Sequence, residues 1–221
     1  MRVLSTLATK GVLDRMRADA ERAAGPLEIR FDATQAILRD VAAGAKTDFV
    51  IVTEEAMAAW KQSGFVAESR VLGESGVGVA VRAGAPRPDI GSMDAFKAAL
   101  LAASSVAHSK VGASGLYFSE VIDRLGLRAR LKKIVVVEKG PVGRVVASGE
   151  AELGVQQLCE LAPVPGIDIV GPLPDAIQKT TVFAAGIPAA TSDRKAALAL
   201  LDFLASAPAR SAMQAGRLEP A

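Results

Sequence analysis

Apolar residues along positions 1–64 recur with two different periods. Residues 2–6, 27–31 and 48–53 are short apolar segments with the length and composition of strands. The stretches 10–25, 34–44 and 54–64 carry apolar side chains at helical spacing, and glycines mark their ends. Because strands and helices alternate, the pattern predicts a mainly parallel sheet covered by helices.

A second set of strands and helices follows from residue 76. The predicted strands are 76–84, 104–108, 133–137, 152–158 and 179–188. The predicted helices are 92–103, capped by Ser92, then 116–126, 140–150 and 193–206, capped by Ser192, and a last one opened by Pro208. The segment 162–174 is rich in proline and glycine and is predicted to be a loop. A second α/β lobe is therefore expected.

Composition narrows the class of protein. Half of the residues are hydrophobic, which is enough for a sizeable core. The net charge is only +2 and the charges are interspersed, so a nucleic-acid partner is not expected. Cys159 is the single cysteine, which excludes an internal disulfide. No apolar run reaches the roughly 18 residues of a membrane span. The location stays open between the periplasm, if a signal peptide has been removed, and the cytoplasm, if Met1 is the natural start.

Four predicted strand-to-helix junctions are rich in polar and small residues: 5–11, 32–36, 109–115 and 138–143. In open α/β sheets, ligands bind beyond the carboxyl ends of the strands, where all four would lie. The first turn of a helix has N–H groups without an intrahelical partner, so an anion is the expected ligand. Gly112 and Gly115 are expected to serve a positive φ or a close backbone approach.

The order and spacing of five segments resemble the type II periplasmic solute-binding proteins, and among them the molybdate-binding group. The segments are "RVLSTLATKGVLDRM", "FDATQAILRDVAAGAKTDFVIVTEEAM", "GASGLYFSEVIDRLGL", "VVASGEAELGV" and "ALLDFLASAPARSAM". The resemblance implies two lobes that close on a ligand in the cleft between them, joined by strands that cross near Val79 and Val182. Residues 1–78 with 183–221 would form one lobe and residues 79–182 the other. It also implies transport, with the permease of an ABC importer as partner.

The junctions differ from the neutral donor cage that the resemblance implies for molybdate. Ala8 with Thr9 stands at the first serine position, Thr34 and Gln35 stand at the second, and Gln157 replaces a tyrosine. Lys10, Lys110, Lys139 and Arg144 lie in or beside the junctions. Because cations and amides suit carboxylates, a small carboxylate is an alternative to a tetrahedral oxyanion.

The expected ligand-binding residues are Thr9, Lys10, Thr34, Gln35, Lys110, Ser114, Gly115, Lys139, Gly140 and Gln157. Lys10 and Lys110 have an alternative interpretation as ordinary surface charges. His108, the only histidine, is interpreted as a packed residue because no Cys or His partner lies nearby in sequence. No metal or cofactor is expected, and the protein is expected to be a monomer.

Three functions are compatible with this sequence. The first is a solute-binding protein that delivers a small anion to an importer. The second is an isomerase of a small tricarboxylate on the same scaffold, since aconitate isomerases resemble this broader fold. The third is a ligand-sensing domain, although no DNA-binding segment is attached. The resemblance favours the first.

Overall fold

The computed structural model describes residues 1–221, which form two compact units: Met1–Ser75 with Thr181–Ala221, and Gly76–Thr180. In chain order the elements are β1 (Arg2–Thr6), α1 (Lys10–Arg15), α2 (Arg17–Ala24), β2 (Glu28–Asp32), α3 (Thr34–Ala42), β3 (Phe49–Thr53), α4 (Glu54–Gln62), β4 (Val66–Arg82), α5 (Met93–Ala102), β5 (Val106–Ser109), α6 (Ala113–Arg124), β6 (Ile134–Val137), α7 (Val142–Ala147), β7 (Leu153–Gln157), α8 (Leu158–Leu161), β8 (Ile167–Pro172), β9 (Thr180–Pro188), α9 (Arg194–Leu204), α10 (Ala207–Ala215) and β10 (Glu219–Pro220). The predicted lobe boundaries, 78 and 182, fall within β4 and β9.

The first unit, residues 1–75 with 181–221, has a sheet built around three parallel strands. β1 lies between β2 and β3 and is parallel to both, with Thr6 opposite Asp32 and Ser5 opposite Ile51. β9 adds to β3 in the antiparallel direction, and β10 pairs with β4. Ile37 of α3 and Met57 of α4 are fully buried in the same hydrophobic cluster as Val50 of β3. The carboxyl ends of β1 and β2 are therefore neighbours on a sheet that is packed against buried helices.

The second unit, residues 76–180, has a parallel core in the order β7-β5-β6. β4 is antiparallel to β7, and β8 is antiparallel to β4. Phe96 of α5 and Phe118 of α6 are fully buried with Val155 of β7. In this unit the ends of β5, β6 and β7 lie at one edge. The predicted α/β class, with mainly parallel sheets flanked by helices, is confirmed.

Several predicted elements have different bounds in the structure. The helix predicted over 10–25 is broken at Met16, whose φ of −105° and ψ of 19° are not helical. The segment predicted as a loop contains β8, because pairing with β4 supplies hydrogen bonds that local turn residues do not reveal. The helix predicted to begin at Leu116 begins at Ala113, so Ser114 lies in its first turn. No helix combines the length and the hydropathy that a membrane span requires.

The predicted cap of α9 is also wrong. Asp193 accepts the N–H of Ala196 at 3.0 Å and is the capping residue. Ser192 instead donates its hydroxyl to Asp48 Oδ1 at 2.7 Å. Both residue types are good caps, so only the long-range contact with Asp48 distinguishes their roles.

Candidate anion-binding junctions

The junction after β1 in the first unit contains two buried hydroxyl groups that bind each other. Thr9 and Ser5 are fully buried, and their hydroxyl oxygens are 2.6 Å apart. Ser5 donates its single hydroxyl hydrogen to the carbonyl of Thr6 at 3.0 Å, so Thr9 must be the donor to Ser5. The hydroxyl hydrogen of Thr9 is therefore used inside the unit.

Lys10 begins α1 beside these hydroxyls. Its ammonium group pairs with Asp14, one turn further along the helix, and lies 5.0 Å from the centre of the Phe31 ring. Both partners of the ion pair are substantially exposed, which makes such a pair worth at most about 1 kcal/mol. An anion with more charge than Asp14 could thus compete for Lys10.

The junction after β2 carries Thr34 and Gln35. Thr34 is the first residue of α3, and its hydroxyl oxygen accepts the N–H of Thr53 at 3.4 Å. As an acceptor in that bond, the hydroxyl keeps its hydrogen for another partner. Gln35 is exposed. Because β1 and β2 are adjacent and parallel, all four residues predicted for the first unit follow neighbouring strand ends.

The junction after β5 in the second unit is a tight loop that leads into α6. The hydroxyl oxygen of Ser109 accepts the N–H of Gly112 at 2.9 Å. A Cβ at Gly115 would lie 1.9 Å from the carbonyl oxygen of Ser109, so only glycine permits this backbone approach. Ser114, 3% exposed, lies in the first turn of α6. The N–H groups of residues 113–115 have no partner inside the helix, which is the arrangement that helix N-termini use to bind anions.

The junction after β6 lies beside the one after β5. The N–H of Lys110 donates to the carbonyl of Val137 at 2.9 Å, and its ammonium group is 3.0 Å from Glu138 Oε1. Lys139 is exposed, and Gly140 has a φ of 87°, which favours glycine. The predicted residues that follow β5 and β6 are thus close together. Glu138 was not predicted from the sequence as the partner of Lys110.

The junction after β7 holds a polar network that the sequence interpretation missed in part. Gln156, 1% exposed, accepts the N–H of Val142 at 2.7 Å through Oε1 and donates through Nε2 to Glu160. Burial raises the pKa of Glu160 to about 7, and the hydrogen bond from Gln156 offsets part of that shift. Gln157 is also buried, at the end of β7. The segment "QQLCE", in which Glu160 follows Gln156 by four residues, could have indicated this network from the sequence.

His108 is a packed residue of the second unit. Its ring is 5% exposed, and it lies edge-on to Phe118 with the ring centres 5.7 Å apart. Nδ1 is 3.0 Å from the carbonyl oxygen of Ser109, while Nε2 has no hydrogen-bond partner. Burial lowers the pKa of His108, so the ring is neutral at physiological pH. No group of three or more His, Cys, Asp and Glu side chains is placed to hold a metal ion.

Two α/β units with polar strand-to-helix junctions define a class of small-ligand-binding proteins, and comparison with known proteins identifies the family. Residues 1–216 match the model of a family described as bacterial extracellular solute-binding proteins, and the chain belongs to that family. It shares its fold with the periplasmic molybdate-binding protein of Azotobacter vinelandii, with a TM-score of 0.80 and 19% identity over 99% of this chain and 98% of that one.

Two further relatives span almost the whole chain. The tungstate-binding protein TupA of Desulfovibrio alaskensis has a TM-score of 0.63 and 15% identity over 100% of this chain and 98% of that one. A Pseudomonas protein named aconitate isomerase is 42% identical over 98% of this chain and 87% of its own length. The resemblance to molybdate-binding type II solute-binding proteins, and their two-lobed fold class, are confirmed.

Proposed function

We propose that this protein binds aconitate and interconverts its two geometric isomers. The observation that carries the proposal is the 42% identity with the aconitate isomerase of Pseudomonas over 98% of this chain. Identity with the molybdate- and tungstate-binding structures is 19% and 15%, which speaks for the fold alone. The proposal therefore follows the aconitate isomerase, which shares more side chains with this chain than the molybdate- and tungstate-binding proteins do.

The chemistry of the junctions supports a carboxylate ligand. Aconitate carries three carboxylates, and the second unit offers the N–H groups at the start of α6 together with Lys110 and Lys139. Lys110 is paired with Glu138, but the two side chains are 55% and 71% exposed. An exposed pair is weak, so a trianion would replace Glu138 at little cost. Charged donors also form stronger hydrogen bonds to carboxylates than neutral donors do.

The test is turnover of the purified protein with each isomer supplied separately. We expect cis- and trans-aconitate to approach the same final mixture, followed by ¹H NMR, while a buffer sample changes far more slowly. Thermal unfolding should also shift upward with aconitate and less with molybdate, tungstate or sulfate, because a ligand at about 100 times its dissociation constant adds roughly 2.7 kcal/mol. If folded protein leaves both isomers unchanged, the isomerase proposal is refuted.

A second function, capture of a small anion for an ABC importer, is favoured by the family to which the chain belongs. The partner would be the permease of that importer, and the ligand a molybdate-like oxyanion or a small carboxylate. This function predicts a ligand-induced thermal shift without any turnover. A thermal shift with molybdate and tungstate, and none with tricarboxylates, would favour an oxyanion receptor over both the isomerase and a carboxylate receptor.

A further inference from the structure

The amide of Gln156 links the start of α7 to the carboxyl group of Glu160. The N–H of Val142 is only a donor, so the oxygen of the amide must face it at 2.7 Å. The NH₂ group then points to Glu160, which accepts through Oε2. Because Gln156 is 1% exposed, this orientation is held by the packing around it. The position of the Glu160 carboxyl is thereby fixed.

This carboxyl lies at the same edge of the second unit as the predicted anion-binding groups. Gln156 is the penultimate residue of β7, which pairs with β5, and the end of β5 leads into the loop 109–115. Val142 follows directly on the Gly140 turn at the end of β6. Glu160 is half-buried as a residue, and its carboxyl is bonded to the buried amide of Gln156. A ligand bound by the N–H groups of α6 would thus have an ionisable carboxyl at the edge that binds it.

We propose that Glu160 is the acid–base residue of the isomerisation, with Gln156 as its positioning residue. The inference rests on the proposed function. The carboxylate of Glu160 removes a proton from the CH₂ carbon of aconitate. The electron pair of that C–H bond forms a new double bond to the central carbon, and the former double-bond pair moves onto the outer carbon, beside its carboxylate.

Transfer of a proton from Glu160, which exchanges with water while the substrate is an anion, to that outer carbon completes the reaction. One C–H bond breaks and one forms, the double bond moves by one position, and Glu160 ends as a carboxylate. The new double bond is cis or trans according to how the carboxylate on the former CH₂ carbon is turned when the bond forms. No oxidant, reductant or cofactor enters the balance. The N–H groups at the start of α6 would stabilise the delocalised anion.

The titration of Glu160 suits this role. A base works best when its pKa is close to the working pH, and burial raises the pKa of Glu160 to about 7. Gln156 donates to the carboxylate and so favours its charged form in the resting protein. The only histidine is packed against Phe118, and burial lowers its pKa, which makes it a weaker base than Glu160.

The experiment compares wild type with Glu160→Gln in D₂O. We expect the wild type to incorporate deuterium at the CH₂ and CH carbons of aconitate as it isomerises. Glu160→Gln should lower both exchange and turnover by roughly 100-fold or more, with the aconitate-induced thermal shift retained. The control is Glu120→Gln, an exposed glutamate on α6, which should match the wild type.

Each outcome decides the proposal. Exchange in Glu160→Gln within threefold of the wild type overturns it, and so does loss of the thermal shift, because the residue would then serve binding or folding. If Glu160→Gln does not fold, Glu160→Asp replaces it and must show slower turnover with a displaced pH profile; an unchanged rate and profile overturn the proposal. A wild type that binds aconitate without exchange or turnover refutes the proposed function, and the inference with it.

Discussion

The junctions of the two units differ in what they offer a ligand. In the first unit the buried groups at the end of β1 are neutral hydroxyls. Thr9 donates to Ser5, and Ser5 donates to the backbone carbonyl of Thr6. In the second unit a buried amide holds a carboxyl group with a raised pKa, and a glycine is packed against backbone. The first arrangement suits passive hydrogen bonding. The second adds a carboxyl group that titrates near neutral pH.

The largest expected effect tests the packing of the second unit. Gly115→Ala places a methyl group 1.9 Å from the carbonyl oxygen of Ser109, so the loop or the start of α6 must move. We expect a loss of about 3 kcal/mol in the free energy of unfolding, together with loss of anion-induced stabilisation. Urea denaturation with and without aconitate measures both.

Gly112→Ala is the matched control on the same helix. Its Cβ would meet the flexible hydroxyl of Ser109 at 3.0 Å, with backbone angles that alanine adopts. A loss of about 1 kcal/mol is expected. Equal losses for the two alanines would contradict the role given to the close approach at Gly115.

The next effect is a pH dependence that comes from Glu160. The folded protein holds this proton up to about pH 7, whereas the unfolded chain releases it near the ordinary glutamate pKa of 4.5. Stability from this group is therefore full below pH 4.5 and is lost as the pH rises to 7, by up to about 3 kcal/mol. Urea unfolding from pH 4.5 to 8 should show this fall in the wild type and not in Glu160→Gln. Parallel curves for the two proteins would refute the raised pKa.

Asp48 in the first unit should show the opposite dependence. Burial alone would raise its pKa, but hydrogen bonds from Arg2 and Ser192 lower it to about 2, against an ordinary aspartate value of 3.8. Its contribution of about 2 kcal/mol is present above pH 3.8 and is lost as the pH falls towards 2. We expect Asp48→Asn to lose about that much at pH 7 by urea denaturation. Asp202→Asn, which removes an exposed partner of Arg70, should change stability by less than about 1 kcal/mol. If Asp48→Asn loses no more than the small amount expected for Asp202→Asn, the buried hydrogen bonds of Asp48 do not stabilise the fold.

The smallest expected effects concern the exposed pair Lys110–Glu138. Removing either side chain should change the free energy of unfolding by less than about 1 kcal/mol. Aconitate affinity should nevertheless change in opposite directions, weaker in Lys110→Ala and stronger in Glu138→Ala, by calorimetric titration. Identical affinities in the two variants would show that Lys110 remains a surface charge and plays no part in binding.

The alternation of apolar periods was sufficient to predict the α/β class, most strands and helices, and the polar junctions. These features depend on neighbours within a few residues, such as the apolar run of β3 or the helical spacing of α3. The close backbone approach expected at Gly115 is present in the structure. It could be predicted because a glycine near the start of a helix is a local feature of the sequence. The roles of the ten predicted ligand-binding residues stay predictions.

Only the tertiary structure decided which polar groups are already satisfied. Glu138 pairs with Lys110 across 28 positions, and Ser192 reaches Asp48 across 144. β8 exists because β4 pairs with it, although its own residues are typical of a loop. Glu160 lies only four positions from Gln156, yet its raised pKa comes from burial in the folded unit. Burial and long-range hydrogen bonding depend on how distant segments pack, so the local pattern of the sequence carries the fold class, and packing decides the chemistry of each side chain.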